Sequence, residues 1–121
     1  MGVLFVALGG ALGAAGRYAI SLLPFKSAFP LLTLLTNVLG ALLIGFIAGF
    51  AAERETLSPN TVLFWKTGVC GGFTTFSTFS LEAYTLLEHG KNVPAALYLV
   101  LSVGLCLLGI ACGKRLSLLC R

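Results

Sequence analysis

Gly68-Val69-Cys70-Gly71-Gly72-Phe73-Thr74-Thr75-Phe76-Ser77-Thr78-Phe79-Ser80 lies inside the third of four apolar blocks and is poorly suited to a continuous helix in hydrocarbon. Two adjacent glycines lower its helix propensity. Five hydroxyl residues then fall in the seven positions from Thr74 to Ser80. The expectation is an interrupted span with its break near Gly71-Gly72. Carbonyls freed at such a break must be satisfied by protein, water or an ion. The N–H groups that open the second half favour an anion there.

Outward from this stretch the chain is almost wholly apolar. Of 121 residues, 58% are hydrophobic and 10% charged, and the mean hydropathy is +1.01. A soluble domain of this length needs more polar residues than that to cover its surface. Crossing ~30 Å of hydrocarbon takes ~20 helical residues. The blocks at about 3–23, 31–52, 62–87 and 94–113 therefore predict four transmembrane helices, with the third broken. They form one domain, 1–121, of an all-α membrane protein in the cell (inner) membrane. Met1-Gly2-Val3-Leu4-Phe5 has no positive flank, so the first block reads as a retained span.

The formal charge of +4 does not indicate nucleic acid, because the cations stand near block ends instead of forming a basic stripe. Four spans put both termini on one side, together with Arg54, Lys114, Arg115 and Arg121, and with Lys66 close by. Lys26 and Lys91, joined by Arg17, lie on the other side. The cytoplasm attracts the first set only modestly, a bias weak enough to allow insertion both ways. Cys70, Cys106, Cys112 and Cys120 form no CxxC pair and read as small apolar fillers. His89 reads as a solvated turn residue.

Polar residues inside the blocks carry the functional information, since hydrocarbon offers them no partner. Thr33, Thr36 and Asn37 lie in the second block, with Thr33 and Asn37 on one helix face. The amide must face protein, water or a ligand. Phe76 and Phe79, interleaved with hydroxyls, present positive ring edges that can line a path for a small anion without holding it too tightly. Arg17 either snorkels to the interface or raises the local anion concentration at a vestibule. Glu82 is the sole acid inside a block and is read as lying toward the end of the third. This disfavours a proton-coupled exporter, which needs a carboxylate near mid-membrane. Gly9/Gly13, Gly45/Gly49, Gly68/Gly72 and Gly109/Gly113 have the spacing that lets membrane helices approach closely. No nucleophile–base pair or metal-ligand cluster suggests an enzyme.

Three segments together resemble the Fluc (CrcB) fluoride channels: Gly9 to Tyr18, Thr33 to Gly40, and Gly68 to Glu82. The resemblance implies an antiparallel dual-topology dimer, a homodimer of two oppositely inserted copies with two pores. The excess of cations on the terminal side leaves room for a heterodimer. It also implies a fluoride-specific channel that exports the ion passively. Phe76 and Phe79 would form the aromatic lining, and Asn37 would be the pore amide that donates to fluoride. Ser77 and Thr78 fall in the hydroxyl-rich stretch of the family's pore, and Tyr98 and Ser102 match its tyrosine and polar track. The carbonyls of Gly71 and Thr74 from both subunits would cage a structural sodium ion at the dimer centre. Further along the track, where the family carries Ser or Thr, this chain has Cys106 and Ile110. Two other classes stand beside this reading, a small dual-topology multidrug exporter and an accessory subunit of a membrane complex.

Overall fold

The structure, a computed structural model, describes residues 1–120; Arg121, counted above among the terminal-side cations, lies outside the described residues. Among the described residues all of the regular structure is helical. Helix α1 spans Gly2–Ser21, α2 spans Leu31–Ala52 and α6 spans Asn92–Leu119. These three are long and apolar enough to cross a membrane. The run between α2 and α6 is broken into pieces. A single turn, α3 (Pro59–Val62), leads into a π-helical segment (Leu63–Cys70) and a last turn, α4 (Gly71–Phe73). After two extended residues the chain resumes as α5 (Phe76–Glu88).

Local chemistry sets the element ends. Ser58 caps α3 by accepting from Asn60 N–H at 3.2 Å, with Pro59 at the first helical position. At the far end of α5, Gly90 takes φ +71°, and the Lys91 N–H reaches back to Leu86 O at 2.9 Å. That left-handed cap turns the chain into α6. Helix α6 continues through Lys114 and Arg115 to Leu119, six residues past the end of its apolar block. Neither a proline nor a capping glycine follows that block, and Lys and Arg are good helix formers favoured near a C-terminus.

The helices pair as α1 with the π segment and α4, and as α2 with α6. Both pairings run on the spaced glycines. A Cβ on Gly68 would stand 2.8 Å from the Gly9 Cα, and one on Gly72 would meet the Gly10 backbone. In the other pair, a Cβ on Gly45 would stand 2.8 Å from the Ile110 Cα, and one on Gly113 would meet the backbone of Leu42 and Phe46. Bare backbones in contact are how helices gain dispersion where lipid supplies no hydrophobic drive. A compact core of Leu34, Phe79, Ala83, Leu86, Ala95 and Tyr98 joins α2, α5 and α6.

The break in the third run falls at Thr74-Thr75, not near Gly71-Gly72 as the glycines suggest. Both glycines keep helical backbone, and Thr74 (φ −83°, ψ 155°) and Thr75 (φ −147°, ψ 122°) are extended. Gly72 serves its contact with α1 instead. The reason for the shift is a side chain on α2.

Candidate functional site

Asn37 clasps the break. Its Oδ1 accepts from Thr75 N–H at 2.8 Å, and its Nδ2 donates to Thr75 O at 3.2 Å. One amide thus gives an extended residue both bonds that a neighbouring strand would give. Thr75 Oγ1 in turn caps α5 by accepting from Thr78 N–H at 3.2 Å, and Thr74 donates through N and Oγ1 to Cys70 O at 3.0 and 2.8 Å. Threonine suits both positions because it is at home in extended backbone and carries a short hydroxyl.

These bonds carry a cost for two carbonyls. In an uninterrupted helix Gly71 O would receive Thr75 N–H, and Thr74 O would receive Thr78 N–H. Both donors are committed elsewhere. Gly71 is also exposed, with nothing within 4 Å of a Cβ built on it.

A groove of about 320 Å³ runs along one side of the break. Its walls are Asn37, Ala41 and Ile44 of α2, then Thr74, Thr75, Phe76 and Phe79, and finally a row along α6. The rings of Phe76 and Phe79 lie 5.7 Å apart, inclined at 54°. Phe79 is 7% exposed and braced edge-on by Tyr98 at 5.0 Å, whereas Phe76 is 79% exposed. The α6 row comprises Ser102, Val103, Cys106 and Ile110. The Ser102 hydroxyl is buried without a hydrogen-bond partner.

A second recess, about 230 Å³, lies on the other side of the break. Arg17, Ser21, Thr33, Thr36 and Thr78 line it together with Thr75. Thr75 is thus common to both. Arg17 does not simply snorkel, since its Nε donates to Gly72 O at 3.2 Å. This bond fixes a cation at the recess and satisfies another carbonyl near the break. A hydroxyl-lined hollow with a held guanidinium attracts anions, and α5 presents its N-terminus close by.

The residues singled out from sequence are only partly brought together. Asn37, Phe76, Phe79 and Ser102 share the larger groove, and Thr78 lines the recess. Ser77 is exposed and lines neither. Tyr98 is fully buried behind Phe79, off the groove wall, with its hydroxyl unpartnered. Thr75, the hub of the break, stood in the sequence only as one of five hydroxyls, because its partner is 38 positions away. Glu82 lies six residues before α5 ends at Glu88. It sits midway along α5, its Oε1 is buried without a hydrogen-bond partner, and the side chains of Thr33 and Tyr98 face its carboxyl.

Apolar helices, a helix broken within the fold, and grooves that meet at the break define a multi-pass membrane protein built to pass a small solute. The comparisons narrow this. The family model described as CrcB-like protein, Camphor Resistance (CrcB), matches residues 4–114, and the chain belongs to that family. It is 46% identical over 117 residues to a protein of Rhizobium meliloti, with 94% of each chain covered. It is 44% identical over 117 residues to one of Clostridium perfringens, covering 94% of this chain and 91% of the relative. A Shewanella halifaxensis protein is 46% identical over 117 residues, with 94% of each covered. All three relatives are named fluoride-specific ion channel FluC.

Proposed function

We propose that this chain is a fluoride-specific channel that lets the ion leave the cytoplasm passively through the cell (inner) membrane, with no catalysis. The observation that carries the reading is the meeting of two recesses at Thr75, one holding Arg17 and hydroxyls, the other lined by Asn37, Phe76, Phe79 and Ser102. Fluoride holds water strongly, so a selective path must offer donors in its place. Arg17 and the Thr33 and Thr78 hydroxyls offer them first. The second Nδ2 hydrogen of Asn37 and the ring edges of Phe76 and Phe79 come next, followed by Ser102. Ring edges attract an anion weakly enough to release it. Ser77 and Tyr98 serve this path from outside its walls, Tyr98 by bracing Phe79.

The working unit in this reading is an antiparallel homodimer, four crossings per chain, two copies oppositely inserted. Support comes from the exposed Phe76 and the open space beside Gly71, which leave one side of the groove for a partner to close. A structural sodium ion at the centre is supported by the chemistry of the break. Gly71 and Thr74 carbonyls have each lost their i+4 donor, and hard cations take oxygen ligands. Such an ion would balance the freed carbonyl dipoles and hold the two broken helices together.

The test is fluoride-electrode efflux from liposomes holding only this polypeptide. Wild type is expected to discharge fluoride under a potassium diffusion potential at equal pH, and Phe76→Ile and Asn37→Asp are expected to be strongly impaired. The buried Glu82 carboxyl is what a proton-coupled exporter would use. Transport that requires a pH gradient would favour that second reading and overturn the channel.

A further inference from the structure

Cys106 stands on α6 one turn beyond Ser102 and lines the same groove as Asn37, Phe76 and Phe79. The other cysteines differ from it. Cys70 is fully buried, and Cys112 and Cys120 are exposed but line neither groove nor recess. The neighbouring hydroxyl bears on the character of the groove. Ser102 is 6% exposed, its Oγ has no hydrogen-bond partner, and it lines the groove wall. A buried hydroxyl left dry costs about 1–3 kcal/mol, so the groove beside it calls for a polar occupant. The half-buried Cys106 thiol lines the same groove, within reach of a small water-borne reagent that enters it.

We propose that Cys106 is a modification site in the wall of the ion path, and that a small, charged, water-borne thiosulfonate reacting there closes the path. The proposal rests on the fluoride reading above. In the step, the thiol gives its proton to water and the thiolate attacks the sulfenyl sulfur of the reagent. A new S–S bond forms, the S–SO₂ bond breaks, and the sulfinate leaves with the electron pair. The adduct projects between Val103, Ile110 and the benzyl rings, filling a groove of only about 320 Å³. An anionic adduct also sets a fixed charge of the cargo's own sign in the path.

The probe is 2-sulfonatoethyl methanethiosulfonate, applied to the full chain in fluoride-loaded liposomes. Mass spectrometry reads the adducts and the electrode reads efflux. The expected result is an adduct on Cys106, loss of most efflux, and recovery with dithiothreitol. Cys106→Ser, whatever its own rate, should show the same efflux before and after the reagent. The Cys112→Ser/Cys120→Ser double variant should stay sensitive. Should Cys106→Ser fail to assemble, the dithiothreitol recovery and this double variant assign the effect. The proposal is overturned if Cys120 is labelled and Cys106 is not, or if Cys106 is fully labelled and efflux is unchanged. Untreated wild type that passes no fluoride sinks the fluoride reading instead. The labelling then decides this inference by itself, with Cys106 modified and Cys112 spared in its favour.

Discussion

Replacing Asn37 with leucine isolates the value of the clasp. Leucine is close to asparagine in size, so little cavity is created, but both amide bonds to Thr75 go. Thr75 N–H and C=O are then orphaned inside the fold, at about 1–3 kcal/mol each, or about 2–6 kcal/mol together. That is a large share of the ~5–15 kcal/mol that holds a typical domain folded. Thr36→Val, one position away, is the control. Thr36 is 2% exposed and its Oγ1 donates to Leu32 O at 2.8 Å. Leu32 O keeps the backbone N–H of Thr36, so this change orphans nothing and is expected to cost no more than about 1 kcal/mol. Reversible unfolding by dodecyl sulfate in mixed micelles, followed by far-ultraviolet circular dichroism and by fluorescence of the single tryptophan, Trp65, measures both. If Asn37→Leu proves no less stable than Thr36→Val, the clasp does not hold the break and the reasoning is wrong.

Phe76→Ile should lower fluoride efflux while leaving unfolding within about 0.5 kcal/mol of wild type, since the ring is largely exposed. Phe79→Ile should lower efflux and also cost at least about 0.5–1.5 kcal/mol by losing its edge contact with Tyr98; parallel efflux and unfolding measurements separate the two. Exchanging sodium for a bulky organic cation should weaken self-association, read by cross-linking or single-molecule photobleaching in liposomes, with the path residues untouched. Gly113→Ala should destabilise the α2–α6 pair by about 1–3 kcal/mol, because the new methyl meets the Leu42 and Phe46 backbone. Gly104→Ala, inside α6 with nothing within 4 Å of the new methyl, should not destabilise the isolated chain and should stabilise it by up to about 1 kcal/mol in thermal unfolding.

What could be read from the sequence was what depends on local composition. Apolar blocks announced membrane helices, and the four glycine pairs announced backbone contact; all eight of those glycines meet another helix. That the third run is interrupted was legible from its glycines and hydroxyls. The position of the interruption was not, because it is decided by Asn37, an amide 38 residues from its partner, and not by the weakest helix formers. Ser77 and Tyr98 were grouped with Phe76 and Phe79 by resemblance, but which side of α5 or α6 meets a groove depends on how the helices pack.

Because Thr75 borders both hollows, the membrane's electric field need not fall evenly over the bilayer. Recesses open to opposite baths would carry the potential of each inward and confine the drop to the neighbourhood of one residue. A single charge making that short stride would traverse most of the voltage, worth about 2.3 kcal/mol per 100 mV. The step past Thr75 would then be where membrane potential exerts its leverage on the rate.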